Sequence, residues 1–97
     1  MKLSKKDLQK IIKILKQHEV KSAGLFGSYA RGEATKKSDI DFLIEFNNKN
    51  TKSLLDIVAL KLDLEDNLKK KCDIVTKRGL HFRIRPYVKK DLIKLYD

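Results

Sequence analysis

The chain has one cysteine, two histidines and one proline in 97 residues, and it has no long apolar run. A single thiol, Cys72, excludes an internal disulfide and fits a reducing compartment, so a cytoplasmic protein is expected. Cys72 stands in an apolar stretch, where a small buried thiol is the ordinary expectation. Met1 is followed by a lysine-rich periodic segment, so neither a secretory leader nor a membrane span is expected. His18 and His81 have no partners at metal or triad spacing and read as ordinary surface residues. No repeat, linker or low-complexity segment interrupts the chain, and residues 1–97 are expected to form one domain with a single two-layer core.

Charge is abundant instead. Charged residues make up 37% of the chain against 41% hydrophobic, a balance that still permits a packed core. The net charge is +10, and 19 of the 23 basic residues are lysines spread over almost every segment. Scatter of this kind points to solvation of a protein from a hot environment rather than to a dedicated nucleic-acid groove. The positive field would nevertheless attract a polyphosphate such as ATP.

Ser4 reads as a helix N-cap, followed by Leu8, Ile11, Ile12 and Leu15 at amphipathic spacing. Val20 to Phe26 reads as a strand stopping at Gly27, and Ser28 to Arg31 as a short helical turn ended by Gly32. A polar loop then leads to a strand marked by Ile40, Phe42, Leu43, Ile44 and Phe46. Thr51 or Ser53 opens a long helix running to about Lys70, with Leu54, Leu55, Val58, Leu62, Glu65 and Leu68 along one broad side. Cys72 to Val75 forms a third strand. Pro86 suits the first turn of a last helix over Tyr87 to Leu95. This order predicts an α/β sandwich with helices on one face of the sheet.

Chemistry concentrates between Gly27 and Asp41. Gly27-Ser28 is followed, after ten residues, by Asp39-Ile40-Asp41. Residues i and i+2 of a strand share a face, so Asp39 and Asp41 project together while Ile40 and Phe42 turn to the core. Two carboxylates this close repel unless a cation lies between them. Oxygen ligands in this number suit Mg²⁺ or Mn²⁺. If the strand starting at Cys72 lies beside the Asp41 strand, Asp73 adds a third acid, enough for two metal ions and a base for the attacking hydroxyl. Glycine at position 27 permits close approach of a phosphate, Ser28 adds a donor, and Arg31 adds a cation one turn later. Lys36 and Lys37 are within reach but read more simply as solvated loop. Alone, an Asp-x-Asp pair or a Gly-Ser pair is ordinary; jointly, at fixed spacing, the four recur by chance in roughly one chain in a thousand.

The segment GLFGSYARGEATKKSDIDFLI resembles the active-site motif of the DNA polymerase β-like nucleotidyltransferases, and best the minimal nucleotidyltransferases found as antitoxins beside HEPN toxins. The family's motif, G-S-x10-D-x-D, is complete here, and Asp73 falls where the family carries its third metal ligand. The resemblance implies the nucleotidyltransferase fold, a small mixed sheet with helices mainly on one face. It implies that Asp39, Asp41 and Asp73 bind two Mg²⁺ and that Gly27 and Ser28 bind the triphosphate. The implied activity is transfer of AMP from ATP to a tyrosine of a partner HEPN toxin, with release of pyrophosphate. The toxin's own R-x4-H-x-Y motif is absent from this chain. Larger relatives carry a further domain for the acceptor, for which these 97 residues have no room. Two other readings remain open at this point: transfer to RNA or a small molecule, and a non-catalytic antitoxin that binds its toxin.

Overall fold

A computed structural model describes residues 3–47, 53–77 and 90–97. Ser4 caps the first helix, α1 (Lys5–Gln17), reciprocally: its hydroxyl accepts from the Asp7 amide and its own amide donates to the Asp7 carboxylate. Strand β1 (Val20–Phe26) follows and runs into a single helical turn, α2 (Gly27–Arg31), which Gly32 ends at φ 75°. Strand β2 (Ile40–Phe46), helix α3 (Leu54–Leu68) and strand β3 (Cys72–Thr76) come next, and β4 (Ile93–Tyr96) closes the described chain. At the start of α3 the Ser53 amide and hydroxyl both donate to the Asp56 carboxylate, at 2.6 and 3.2 Å. No helix of the described residues is long and apolar enough to cross a membrane.

The sheet order is β3-β2-β1-β4. β2 pairs antiparallel with β1 and parallel with β3, with α3 as the crossover, so the sheet is mixed. Ile40, Phe42, Ile44 and Phe46 of β2 point to one face, where Ile11, Ile14 and Leu15 of α1 and Leu60 and Leu64 of α3 complete the core. Ile40, Phe42, Ile44, Ile11, Leu15, Leu60 and Leu64 are all fully enclosed. Asp41, Leu43 and Glu45 take the alternate positions and therefore lie on the other face. The expected arrangement, helices mainly on one face of a small mixed sheet, is the one observed.

Three expectations are corrected. Residues 90–91 form a helical turn but Ile93–Tyr96 is a strand, paired antiparallel with β1, where a helix was expected to run to Leu95. The free edge of β1 supplies the reason, and the Tyr96 hydroxyl fastens the strand by donating to the Val20 carbonyl at 2.7 Å. Residues 78–89, including His81, Phe82, Ile84, Pro86 and Tyr87, lie outside the described residues. His18 is not an idle surface group: its Nε2 lies 2.9 Å from the Asp63 carboxylate and ties the end of α1 to α3. Finally, the apolar side of α3 read from the sequence is largely the outward one. Leu54, Leu55 and Leu62 are 74%, 79% and 59% exposed, whereas Leu60 and Leu64 are enclosed.

Leu60 and Leu62 therefore make opposite predictions two residues apart. Leu60→Ala should cost about 2–5 kcal/mol in denaturant unfolding, through lost burial and a residual cavity. Leu62→Ala should change stability by no more than about 0.5 kcal/mol.

Candidate active site

The parallel pairing of β2 with β3 sets Asp41 directly opposite Asp73, and the antiparallel pairing with β1 sets Phe26 opposite Asp41 on its other side. Ile40 and Cys72, one step earlier in the same register, point to the core. The two acids thus emerge together on the face that α1 and α3 leave uncovered. Asp39, two residues before Asp41, borders the same face.

Gly27 fits against this pair. Its φ is +75°, and a Cβ built there would overlap a carboxylate oxygen of Asp41. Glycine is therefore required twice, by backbone conformation and by the space that Asp41 occupies. Phe26 stands at the N-cap of α2 and offers no side-chain acceptor to the first amides of the turn. Those N–H groups stand beside the acids, with Ser28 half-buried among them.

Burial raises the Asp41 pKa to about 6, helped by the negative charges of Asp73 and then Asp39, while Arg31 opposes the rise. Arg31, expected as a free cation for phosphate, is already engaged. Its Nε donates to Glu33 at 3.0 Å and a terminal nitrogen donates to Asp91 at 2.9 Å. Asp91, whose side chain is only 12% exposed, thereby links the start of the C-terminal strand to the site. Neither Glu33 nor Asp91 was marked by the sequence, because one is an ordinary loop acid and the other lies sixty residues away.

The loop that delivers Asp39 is also more ordered than its composition suggests. Ser38 Oγ accepts from the Thr35 amide at 2.8 Å, and the Ser38 amide donates to the Thr35 carbonyl at 3.1 Å. A Thr-x-x-Ser spacing was the available signal. Lys36 and Lys37 are exposed within this turn. After α3, Lys69 takes a left-handed conformation at the C-cap, so Lys69, Lys70 and Lys71 follow the helix. Lys70 places its Nζ over the Tyr29 ring, 5.8 Å from the centroid. Cys72 is buried and its thiol is pushed up to about 12, first by burial and then by Glu65, Asp39 and Asp73. It is an inert core thiol.

Among the described residues, no three His, Cys, Asp or Glu side chains stand close enough to hold a metal ion as they are. The donor chemistry fits a hard divalent cation all the same: oxygen ligands only, with mutual repulsion that raises Asp41 and that a cation would relieve.

A sequence profile of the nucleotidyltransferase domain family matches residues 8–95. A Methanocaldococcus jannaschii protein assigned to the protein adenylyltransferases is 52% identical over 73 residues, covering 75% of this chain and 76% of its own. A solved structure assigned as a minimal nucleotidyltransferase matches with a TM-score of 0.76 at 38% identity, over 89% of this chain and 86% of that one. A toxin–antitoxin complex solved with AMP-PNP contains a chain matching at a TM-score of 0.81 and 26% identity, over 92% of this chain and 72% of that one. The chain belongs to the nucleotidyltransferase domain family and is a nucleotidyltransferase.

Two predictions concern the acids and the glycine. Because Asp41 holds its proton to about pH 6 when folded, against 3.8 for an ordinary aspartate, the folded state loses stability as pH rises through that interval. Asp41→Asn removes the loss. Without divalent ions, its melting temperature should equal that of the native chain near pH 4 and exceed it above pH 6; a variant that melts lower at pH 8 refutes the repulsion. Gly32, also at φ +75°, has nothing near its missing Cβ. Gly32→Ala should cost about 1–2 kcal/mol, and Gly27→Ala measurably more in the same urea titration, since it must also displace Asp41.

Proposed function

We propose that this nucleotidyltransferase is an Mg²⁺-dependent protein adenylyltransferase that acts as an antitoxin, moving AMP from ATP to a tyrosine of a HEPN-family toxin. The observation that carries the reading is the Asp41–Asp73 pairing with the Gly27 backbone packed against the Asp41 carboxylate. A relative 52% identical is assigned to the protein adenylyltransferases, and one 26% identical was solved within a toxin–antitoxin complex with AMP-PNP, which supports both activity and partner.

In this reading residues 1–97 are one catalytic domain. Asp39, Asp41 and Asp73 hold two Mg²⁺, with Mn²⁺ an acceptable substitute. Bound metal supplies charge neutralisation at the triphosphate and lowers the pKa of the acceptor hydroxyl. Gly27 lets the phosphates approach the backbone, Ser28 donates to them, and Arg31 shares its guanidinium between them and its acidic neighbours. The tyrosine oxygen attacks the α-phosphorus, the bond from that phosphorus to the β-bridging oxygen breaks, and pyrophosphate leaves. Asp73, the most exposed of the three acids, is the group that takes the tyrosine proton.

The test uses ATP labelled at the α-phosphate, Mg²⁺ and the protein encoded beside this chain. Label should appear on a tyrosine of that partner, and Asp39→Asn/Asp41→Asn should lower its rate at least about 100-fold. Label retained by the double variant, or none with the native chain, overturns the reading. Label passing to RNA in preference to protein would assign the same site to an RNA nucleotidyltransferase instead. Mg²⁺ at pH 8 should raise the melting temperature of the native chain and leave that of Asp41→Asn nearly unchanged.

A further inference from the structure

The outer side of α3 is a large apolar feature that the candidate active site does not use. At 100° per residue, Ile57, Leu60, Leu64 and Leu68 centre on the sheet, while Leu54, Leu55, Val58 and Leu62 centre about 130° round the helix, on its outward side. The second set is 74%, 79%, 41% and 59% exposed. A helix apolar on both sides is one that is covered on both sides. The four side chains present on the order of 400 Å² of apolar surface, the size of functional patches on monomers. It also suits the apolar centre of an interface to which each partner gives about 800 Å². Charge is sparse along the stripe: within its arc α3 carries Glu65, whose carboxylate accepts from the Cys72 amide at 2.9 Å.

Charge decides what covers it. A second copy is opposed twice: each chain carries +10, and α3 itself carries Asp56, Asp63, Glu65 and Asp66 against Lys61 alone. A two-fold contact would therefore set an acidic helix against an acidic helix between two molecules that already repel. A different protein, presenting an apolar helical face with basic residues at its rim, meets the acids of α3 with complementary charge.

We propose that Leu54, Leu55, Val58 and Leu62 form the docking surface for the toxin, an inference that rests on the partner reading above. The stripe occupies the N-terminal half of α3, whereas the C-terminal end leads through Lys69–Lys71 into Asp73. From Leu54 to Leu68 the helix rises about 20 Å. A partner seated on the stripe leaves the three acids open to an acceptor segment.

The experiment compares the native chain with Leu55→Glu/Leu62→Glu, both outward positions, by calorimetric titration with the purified protein encoded beside this chain and, separately, with ATP and Mg²⁺. The variant should bind that protein about 100-fold more weakly or not at all, while its uptake of ATP matches native. Native-like binding of the partner by the variant overturns the surface and leaves the partner reading standing. Failure of the native chain to bind overturns both. Sedimentation of the native chain alone as a dimer that the variant abolishes would give the surface to a second copy, and overturn the proposal as well.

Discussion

Two aspartates facing each other across a parallel strand pair set the terms for the rest of this molecule. Asp41 and Asp73 are register partners, and burial, reinforced by their repulsion, is what pushes Asp41 to about 6. Nothing local favours that pairing; the opposite face of the same strands enforces it. Ile40, Phe42 and Ile44 alternate with Asp41, and Cys72 alternates with Asp73, so the register that buries the apolar set must bring the acids together. A slip of β3 by one residue would turn the Asp73 carboxylate toward the core and Cys72 out of it. Hydrophobic burial thus fixes the spacing of the acids, and the core holds them where their own charges would part them.

Gly27 and Arg31 complete the same balance from α2. The glycine removes a Cβ that would displace Asp41, and the arginine supplies a positive charge that pulls its pKa back down. Arg31 is itself held by Glu33 and by the largely buried Asp91, so the C-terminal segment contributes to the site electrostatically without facing it. The turn is short, yet its first amides meet no side-chain cap and its last residue reaches β4's approach. Position, not length, gives α2 its importance.

The fifteen residues from Gly27 to Asp41 were legible because strand periodicity and glycine chemistry are local. A side chain two positions on must share a face, and only glycine tolerates φ +75° without strain. The partnership with Asp73 was legible only conditionally, since adjacency of the two strands is a tertiary fact. Long-range pairs were silent: His18 with Asp63, Arg31 with Asp91, and Tyr96 with the Val20 carbonyl join residues forty-five, sixty and seventy-six positions apart. The last strand was misread for the same reason. Leu92, Ile93 and Leu95 are compatible with a helix, and the open edge of β1 decides otherwise.

The misread side of α3 has a different origin and carries more weight. Periodicity reports where apolar residues lie on a helix, not which neighbour they meet, and α3 has them on two sides, one enclosed and one exposed. In the proposed reading the acids lie on the sheet face that α1 and α3 leave open, and the grip on a macromolecular acceptor is assigned to a surface elsewhere. An apolar stripe remote from the acids can supply it without crowding the triphosphate or burying Asp41 further, which would raise its pKa and weaken its hold on a cation. Separating grip from chemistry in this way also relaxes a conflict within the fold. The face that must stay charged and hydrated is on one side of the sheet, and the face that can be sealed dry is on the outside of the helix layer across from it.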